Sequence, residues 1–145
     1  MDGIFGHYQP LLMIKDAITS ERRRHMVKLL VSYGADLEMR DEDGHTALMS
    51  VMSVEEGSKF GRQKARRMSI LLEFGANVNT TNAMGETPLI LAVQQSLGYE
   101  ITKLLLKYGA NPALRDELGL TAKDYALTQE DYRTVELLEE WQSGQ

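Results

Sequence analysis

The phrase Tyr-Gly-Ala-Asp at residues 33–36 returns as Phe-Gly-Ala-Asn at 74–77 and as Tyr-Gly-Ala-Asn at 108–111. Ten residues after each of these glycines stands another, Gly44, Gly85 and Gly119, and two residues beyond each of those a threonine, Thr46, Thr87 and Thr121. The interval between the first glycines is 41 residues and then 34. A chain that repeats at this period is a stack of units, each too small to bury its own apolar face except against its neighbours. Function in such an array belongs to a surface rather than a pocket.

With 145 residues, 43% of them apolar, the chain is long enough for one continuous core, and 1–145 reads as a single domain. No apolar run approaches the ~18 residues of a membrane span. The apolar start at Ile4, Phe5 and residues 11–14 runs directly into Lys15 and Asp16 without a basic lead-in, so no secretory signal is expected either. The absence of cysteine removes disulfides, thiolate metal ligands and thiol nucleophiles. The net charge of -5 is unevenly spread: residues 54–67 hold five basic and two acidic side chains, whereas 99–145 hold five basic and nine acidic. A charged partner would meet different faces.

The least disturbed copy shows what one unit is. Thr87 before Pro88 marks a helix start, with a hydroxyl to accept an orphan N–H and a proline whose φ suits the first helical position. Leu89, Ala92 and Val93 follow on one stripe, Gly98 is expected to end this helix or sit just past it, and Ile101, Leu104 and Leu105 begin a second at the same period. Gly109 fits the left-handed residue that closes the second helix, and the turn-rich stretch 111–120, with Pro112, Asp116 and Gly119, reads as a projecting hairpin.

The order helix, helix, hairpin, with Gly85, Thr87, Pro88 and Leu89 opening the unit, Leu104, Leu105 and Leu106 before the turn and Gly109, Ala110 and Asn111 after it, resembles the ankyrin repeat. The Trp, Leu-Gly and Tyr pattern of tetratricopeptide repeats, which share nearly the same period, is missing. The resemblance implies an all-α solenoid of helix-turn-helix units with projecting β-hairpin loops. The units run approximately 9–39, 41–80, 82–114 and 116–142, with an interhelix insertion at about 54–67. The first is irregular, with Gln9-Pro10-Leu11 in place of Thr-Pro-Leu and Ile14 where the family prefers alanine. The family's histidine after Thr-Pro-Leu is Met49, Ile90 and Asp124 here, so the helix-start hydrogen bond it supplies is expected to be missing throughout. Lys123, Asp124, Glu130, Asp131 and Arg133 would face outward, as at the end of an array. The aromatics Tyr33, Phe74 and Tyr108 before the closing glycines read as a packed column linking outer helices rather than as a stacking ladder for a ligand.

A search for chemistry finds no convergent set. His7, His25 and His45 belong to different places in the repeat. Asp41-Glu42-Asp43-Gly44 begins like a calcium loop, yet its glycine comes fourth instead of sixth and Met52 stands where the loop needs a glutamate, so it reads as an acidic tip. No phosphate loop or nucleophile elbow appears. No catalytic residue, metal or cofactor is expected, and the chain reads as a non-enzymatic interaction module.

In the ankyrin family, ligands meet the hairpin tips and the exposed side of the inner helices, which implies a protein partner here, held by Asp43, Met84, Glu86, Leu118 and Leu120 on the tips and by Ser53 and Gln94 on the inner helices. Met84, Leu118 and Leu120 are predicted to be exposed. An alternative surface is the basic edge formed by Arg22, Arg23 and Arg24 of one unit and Arg62, Lys64, Arg66 and Arg67 of the next, which would attract an anion: an acidic protein segment, a phosphoinositide or nucleic acid. Positive charge at a helix start opposes the helix dipole, so such clusters cost their own helices stability. Resemblance also implies two modification sites: Asn79 as the hairpin asparagine that asparaginyl hydroxylases modify, with Leu71 eight residues earlier, and Ser69 behind Arg66-Arg67-Met68 as a basophilic kinase site. A monomer is expected, in the cytoplasm or, from the import-like Lys64-Ala65-Arg66-Arg67, the nucleus.

Overall fold

The computed structural model of the chain describes residues 22–53 and 61–144, with the side chains of Arg23 and Arg62 outside that set. Gln9-Pro10-Leu11, Ile14, Lys59 and Phe60 also lie outside the described residues. Two compact units divide the chain, one up to Asn77 and one from Val78. The first contains α1 (Arg23–Ser32), α2 (Ala47–Ser53) and α3 (Gly61–Glu73); the second contains α4 (Pro88–Gln94), α5 (Tyr99–Lys107), α6 (Ala122–Thr128) and α7 (Tyr132–Ser143). In the second unit the inner helices α4 and α6 pack together, each also packs on its own outer partner, α5 or α7, and α5 meets α7. In the first unit α3 lies against both α2 and α1.

Each outer helix of the repeat phrase ends in the same way. The N–H groups of Ala35, Ala76 and Ala110 reach back to the carbonyls of Leu30, Leu71 and Leu105, each at 3.0 Å, while Gly34, Gly75 and Gly109 bond Val31, Leu72 and Leu106. This double closure needs a left-handed residue between helix and exit, and the three glycines supply it at φ 89°, 99° and 95°. The repeated Gly-Ala phrase is therefore a helix stop.

The helix starts differ. Thr87 Oγ1 accepts the Ile90 N–H with Pro88 in the first turn, as the sequence predicts. At α6 the expectation of a missing bond fails: Asp124 stands in the histidine column and completes a capping box, taking the Thr121 N–H at 2.9 Å while Thr121 Oγ1 accepts the Asp124 N–H at 3.3 Å. Asp131 similarly caps α7 through the Thr134 N–H, so neither aspartate is merely surface charge.

Gly98 lies just past α4, the second of its two expected places, where it caps the start of α5; the left-handed residue between these helices is Ser96, φ 54°, matched by Glu130, φ 58°, between α6 and α7. Two further expectations are corrected. Residues 61–67 of the expected insertion form the first half of α3 rather than a loop. The aromatic column is not packed throughout: Tyr33 is 85% and Tyr108 40% exposed, because both occupy the helix C-cap, where the chain turns outward.

The projecting loops are tight turns, and no strand forms among the described residues. In each, one Asx side chain does the work a partner strand would do. Asp41 Oδ1 accepts the N–H groups of Asp43 and His45, Asn82 Oδ1 those of Met84 and Glu86, and Asp116 Oδ1 those of Leu118 and Leu120, all at 2.9–3.0 Å. Two backbone bonds then close each turn, as from Asp116 N–H to Leu120 O at 3.0 Å and from Gly119 N–H to Asp116 O at 2.9 Å.

Candidate functional site

Within the second unit the two successive turns are tied tip to tip, the Glu117 N–H donating to the Met84 carbonyl at 3.2 Å. Gly85 permits the approach: a Cβ there would stand 3.1 Å from the Glu117 nitrogen. On this joined rim Met84 is 55% and Leu118 73% exposed. Leu120, predicted to be exposed with them, is half-buried, two residues before Ala122, the buried first residue of α6. Glu86 is also half-buried and accepts from Asn82 Nδ2 at 3.0 Å, so it braces its own turn as well as flanking the apolar pair.

A polar pair of buried Asp116 and half-buried Tyr125 stiffens the second tip. Tyr125 Oη donates to Asp116 Oδ2 at 2.5 Å, while Asp116 Oδ1 holds the Leu118 and Leu120 amides. Burial pushes the Asp116 carboxyl up, but these bonds together outweigh it and leave the group below its ordinary 3.8. The same bond, then burial and the charges of Asp116 and Glu86, push the Tyr125 hydroxyl up to about 12. Asp124 is lowered by its bonds to Thr121, against burial, with the nearby charges of Arg115 and Lys123 assisting. Sequence reasoning missed Tyr125 and the Asx column; the signal was present in Asp41, Asn82 and Asp116, each three residues before a repeated glycine.

The inner-helix row is less free than a list of short polar residues suggests. Gln94, Thr128 and Gln129 are exposed, but Gln129 Nε2 donates to the Gln94 carbonyl at 3.0 Å and Thr128 Oγ1 to the Asp124 carbonyl. Ser53, exposed in the first unit, donates to the Met49 carbonyl at 3.0 Å. Asp43 is an exposed tip residue of that unit. Asp41, Asp43 and His45 bring ligand-type atoms within 4.8 Å of one another, but Asp41 Oδ1 already serves two backbone amides, and the cluster is an ordinary turn.

Asn79 holds the closing turn after α5 from the side: its Oδ1 accepts the Asn111 N–H at 2.8 Å and its Nδ2 donates to the Gly109 carbonyl at 3.1 Å. In the first unit Glu38 makes the first of these bonds to the turn after α3, accepting the Asn77 N–H at 2.7 Å. Ser69 lies inside α3 and donates to the Arg66 carbonyl at 2.8 Å.

The basic edge divides. Arg22, Arg24 and Arg66 come together with His25 and Lys28 along a groove of about 750 Å³ between α1 and α3, which Ile70 and Glu73 also line. Arg67 is absent from it, buried at 9% exposure, because it falls in the repeat column that Ile101 fills in the second unit. Lys64 reaches the other way, to the Met52 carbonyl at 3.0 Å.

Comparison with known proteins agrees with this architecture. The family profile for ankyrin repeats, in three copies, matches residues 15–116 and 67–142. An ankyrin repeat-containing protein of Treponema pallidum (strain Nichols) is 35% identical over 107 residues, 73% of this chain and 33% of its own length. An ankyrin repeat protein of fowlpox virus (strain NVSL) is 35% identical over 132 residues, 88% of this chain and 36% of its own. The mouse ankyrin repeat and SOCS box protein 16 is 35% identical over 101 residues, 70% of this chain and 22% of its own. The chain belongs to the ankyrin-repeat family, and its fold class is the all-α repeat solenoid. It spans about a third or less of the length of these relatives.

Proposed function

We propose that this chain is a non-enzymatic module that binds a partner protein through the turn tips and inner-helix row of its second unit. Ankyrin repeats generally mediate protein–protein interaction, which sets the class. The observation that carries the finer reading is the apolar pair Met84 and Leu118, more than half exposed on two tips joined by a backbone hydrogen bond. Large apolar side chains on a braced rim, flanked by Glu86, Arg115 and Glu117, have the composition of a small interaction hot spot. The brace lowers the entropy a partner must remove on binding. Gln94 on the inner helix of the same unit would add a polar contact. A photo-crosslinking residue at Leu118 is expected to trap the partner, while the same residue at exposed Glu136 on α7 traps little; equal yields would remove the tips from the interface.

A second reading has its own observation. Arg22, Arg24 and Arg66, with Arg23 and Arg62 beside them in sequence, favour an anionic partner at the groove between α1 and α3. Asn79 is offered as a hydroxylation site on sequence resemblance, and its bridging bonds mean that the turn would have to open for an enzyme to reach it. Among the described residues no helix is long and apolar enough to cross a membrane.

A further inference from the structure

We propose that the groove between α1 and α3 is a docking site for an acidic segment of a partner protein, one carrying carboxylates with an interspersed apolar side chain. This rests on the second reading above, that the edge takes an anion, and names the class of anion. The helices present matched rows: Arg22, His25 and Lys28 at intervals of three along α1 and its start, and Arg66, Ile70 and Glu73 at intervals of four and three along α3. Such intervals keep each row on one side of its helix. The groove's 750 Å³ lies within the range of about 300–1,000 Å³ that accommodates a discrete ligand.

Three of its cations are unpaired among the described residues. Arg22, Lys28 and Arg66 are all exposed, and none makes an ion pair with another described residue. Neither helix has an acidic residue in its first turn to offset these cations. Arg22, at the N-cap of α1, also meets the positive end of that helix dipole, and an incoming carboxylate relieves both repulsions.

The groove seats one carboxylate already. Glu73 Oε1 lies 2.5 Å from Arg24 Nη2, with the two side chains 41% and 66% exposed. A pair this exposed contributes little stability, so a partner's carboxylate can exchange for it. The planar guanidinium forks of Arg22 and Arg66 suit carboxylate oxygens, and Ile70, which lines the same groove, offers a seat for an apolar side chain. The other anionic partners fit less well. Among the described residues no Phe, Tyr or Trp lines the groove, so a base has only the small His25 imidazole and the guanidinium planes to stack on. A phosphate headgroup or polyphosphate would leave the apolar Ile70 uncovered, whereas a segment with an interspersed apolar side chain covers it.

The test titrates the full chain, by fluorescence anisotropy at low salt, with a short labelled peptide of glutamates and interspersed leucines. Its glutamine counterpart, a single-stranded oligonucleotide, and phosphatidylcholine vesicles with and without phosphatidylinositol bisphosphate run beside it. The glutamate peptide is expected to bind most tightly and to weaken as salt rises. The variant Arg22→Ser, Lys28→Ser, Arg66→Ser should weaken it at least about tenfold, or about 1.4 kcal/mol, with an unchanged circular dichroism spectrum. Glu73→Gln should tighten it, because it frees Arg24 and removes the competing charge. If the oligonucleotide or the phosphoinositide vesicles bind better through the same residues, or Glu73→Gln weakens the peptide, the acidic-segment assignment falls and the anionic-edge reading stands. If no anion binds, or the triple variant binds the peptide as well as wild type, both fall.

Discussion

In the unit from Val78 onward, the buried columns of the inner helix are filled by Ile90 and Val93; in the unit up to Asn77 the same columns hold Met49 and Met52, with Met68 buried nearby. Methionine fills irregular space well but, with three rotatable bonds, specifies it poorly. The helix starts follow the same division. Thr87 and Thr121 both accept a backbone amide, whereas Thr46 Oγ1 and Ser50 Oγ are buried with no hydrogen-bond partner among the described residues. The first unit also buries Arg67 where the second buries Ile101. The shared Gly-Ala stops and leucines maintain one architecture in both, while adaptable packing and basic surface concentrate in the first unit and braced turns in the second.

Core truncations give the largest expected effects. Leu71 and Leu105 occupy the same column and are both 0% exposed. Leu105→Ala should cost about 2–5 kcal/mol in chemical denaturation, and Leu71→Ala should fall towards the lower end, since nearby methionines can relax into the void. Equal costs would remove the packing half of the comparison.

The caps come next. Thr121→Ala deletes a capping box and should cost about 1 kcal/mol, whereas Thr46→Val removes only an unpartnered hydroxyl and should stay within about 0.5 kcal/mol of wild type. A loss at Thr46 as large as at Thr121 would mean the two helix starts are equivalent after all.

Titration separates the units further. Asp116 and Asp124 have lowered folded values, so their stabilisation is present above the unfolded value of about 3.9 and is lost as pH falls through the folded ones. Tyr125, at about 12 against 10.0, has the opposite sign: its contribution is complete below 10.0 and lost as pH rises through about 12. Tyr125→Phe should therefore abolish the alkaline loss, reduce the acid one, and cost about 1.5 kcal/mol at neutral pH. Stability curves for the variant and wild type that stay parallel from acid to alkali would exclude Tyr125 as the brace.

The architecture was legible because glycines, leucines and threonines recur in register, and each repeats for a backbone reason: a left-handed helix stop, a core column, a cap. What the register could not reveal were partners chosen by side chains far apart in sequence. Nothing local to Tyr125 announces a bond to Asp116, and nothing local to Asn79 announces Gly109 and Asn111. Ser96 in the left-handed turn was hidden because Gly98 nearby drew the assignment. At the candidate surface, columns that disagree between units singled out Met84 and Leu118. Arg67 could have been removed from the basic edge by the same alignment, since its column is Ile101.

The central claim is that partner binding depends on the tip pair of the second unit. The most direct measurement is the partner's affinity for wild type and for Met84→Ser, Leu118→Ser, each in low and high salt, with both proteins' stabilities checked to agree within about 0.5 kcal/mol. The account predicts wild-type binding that survives high salt and falls by at least about tenfold in the double variant. Undiminished binding by the double variant, abolished instead by salt, would contradict it.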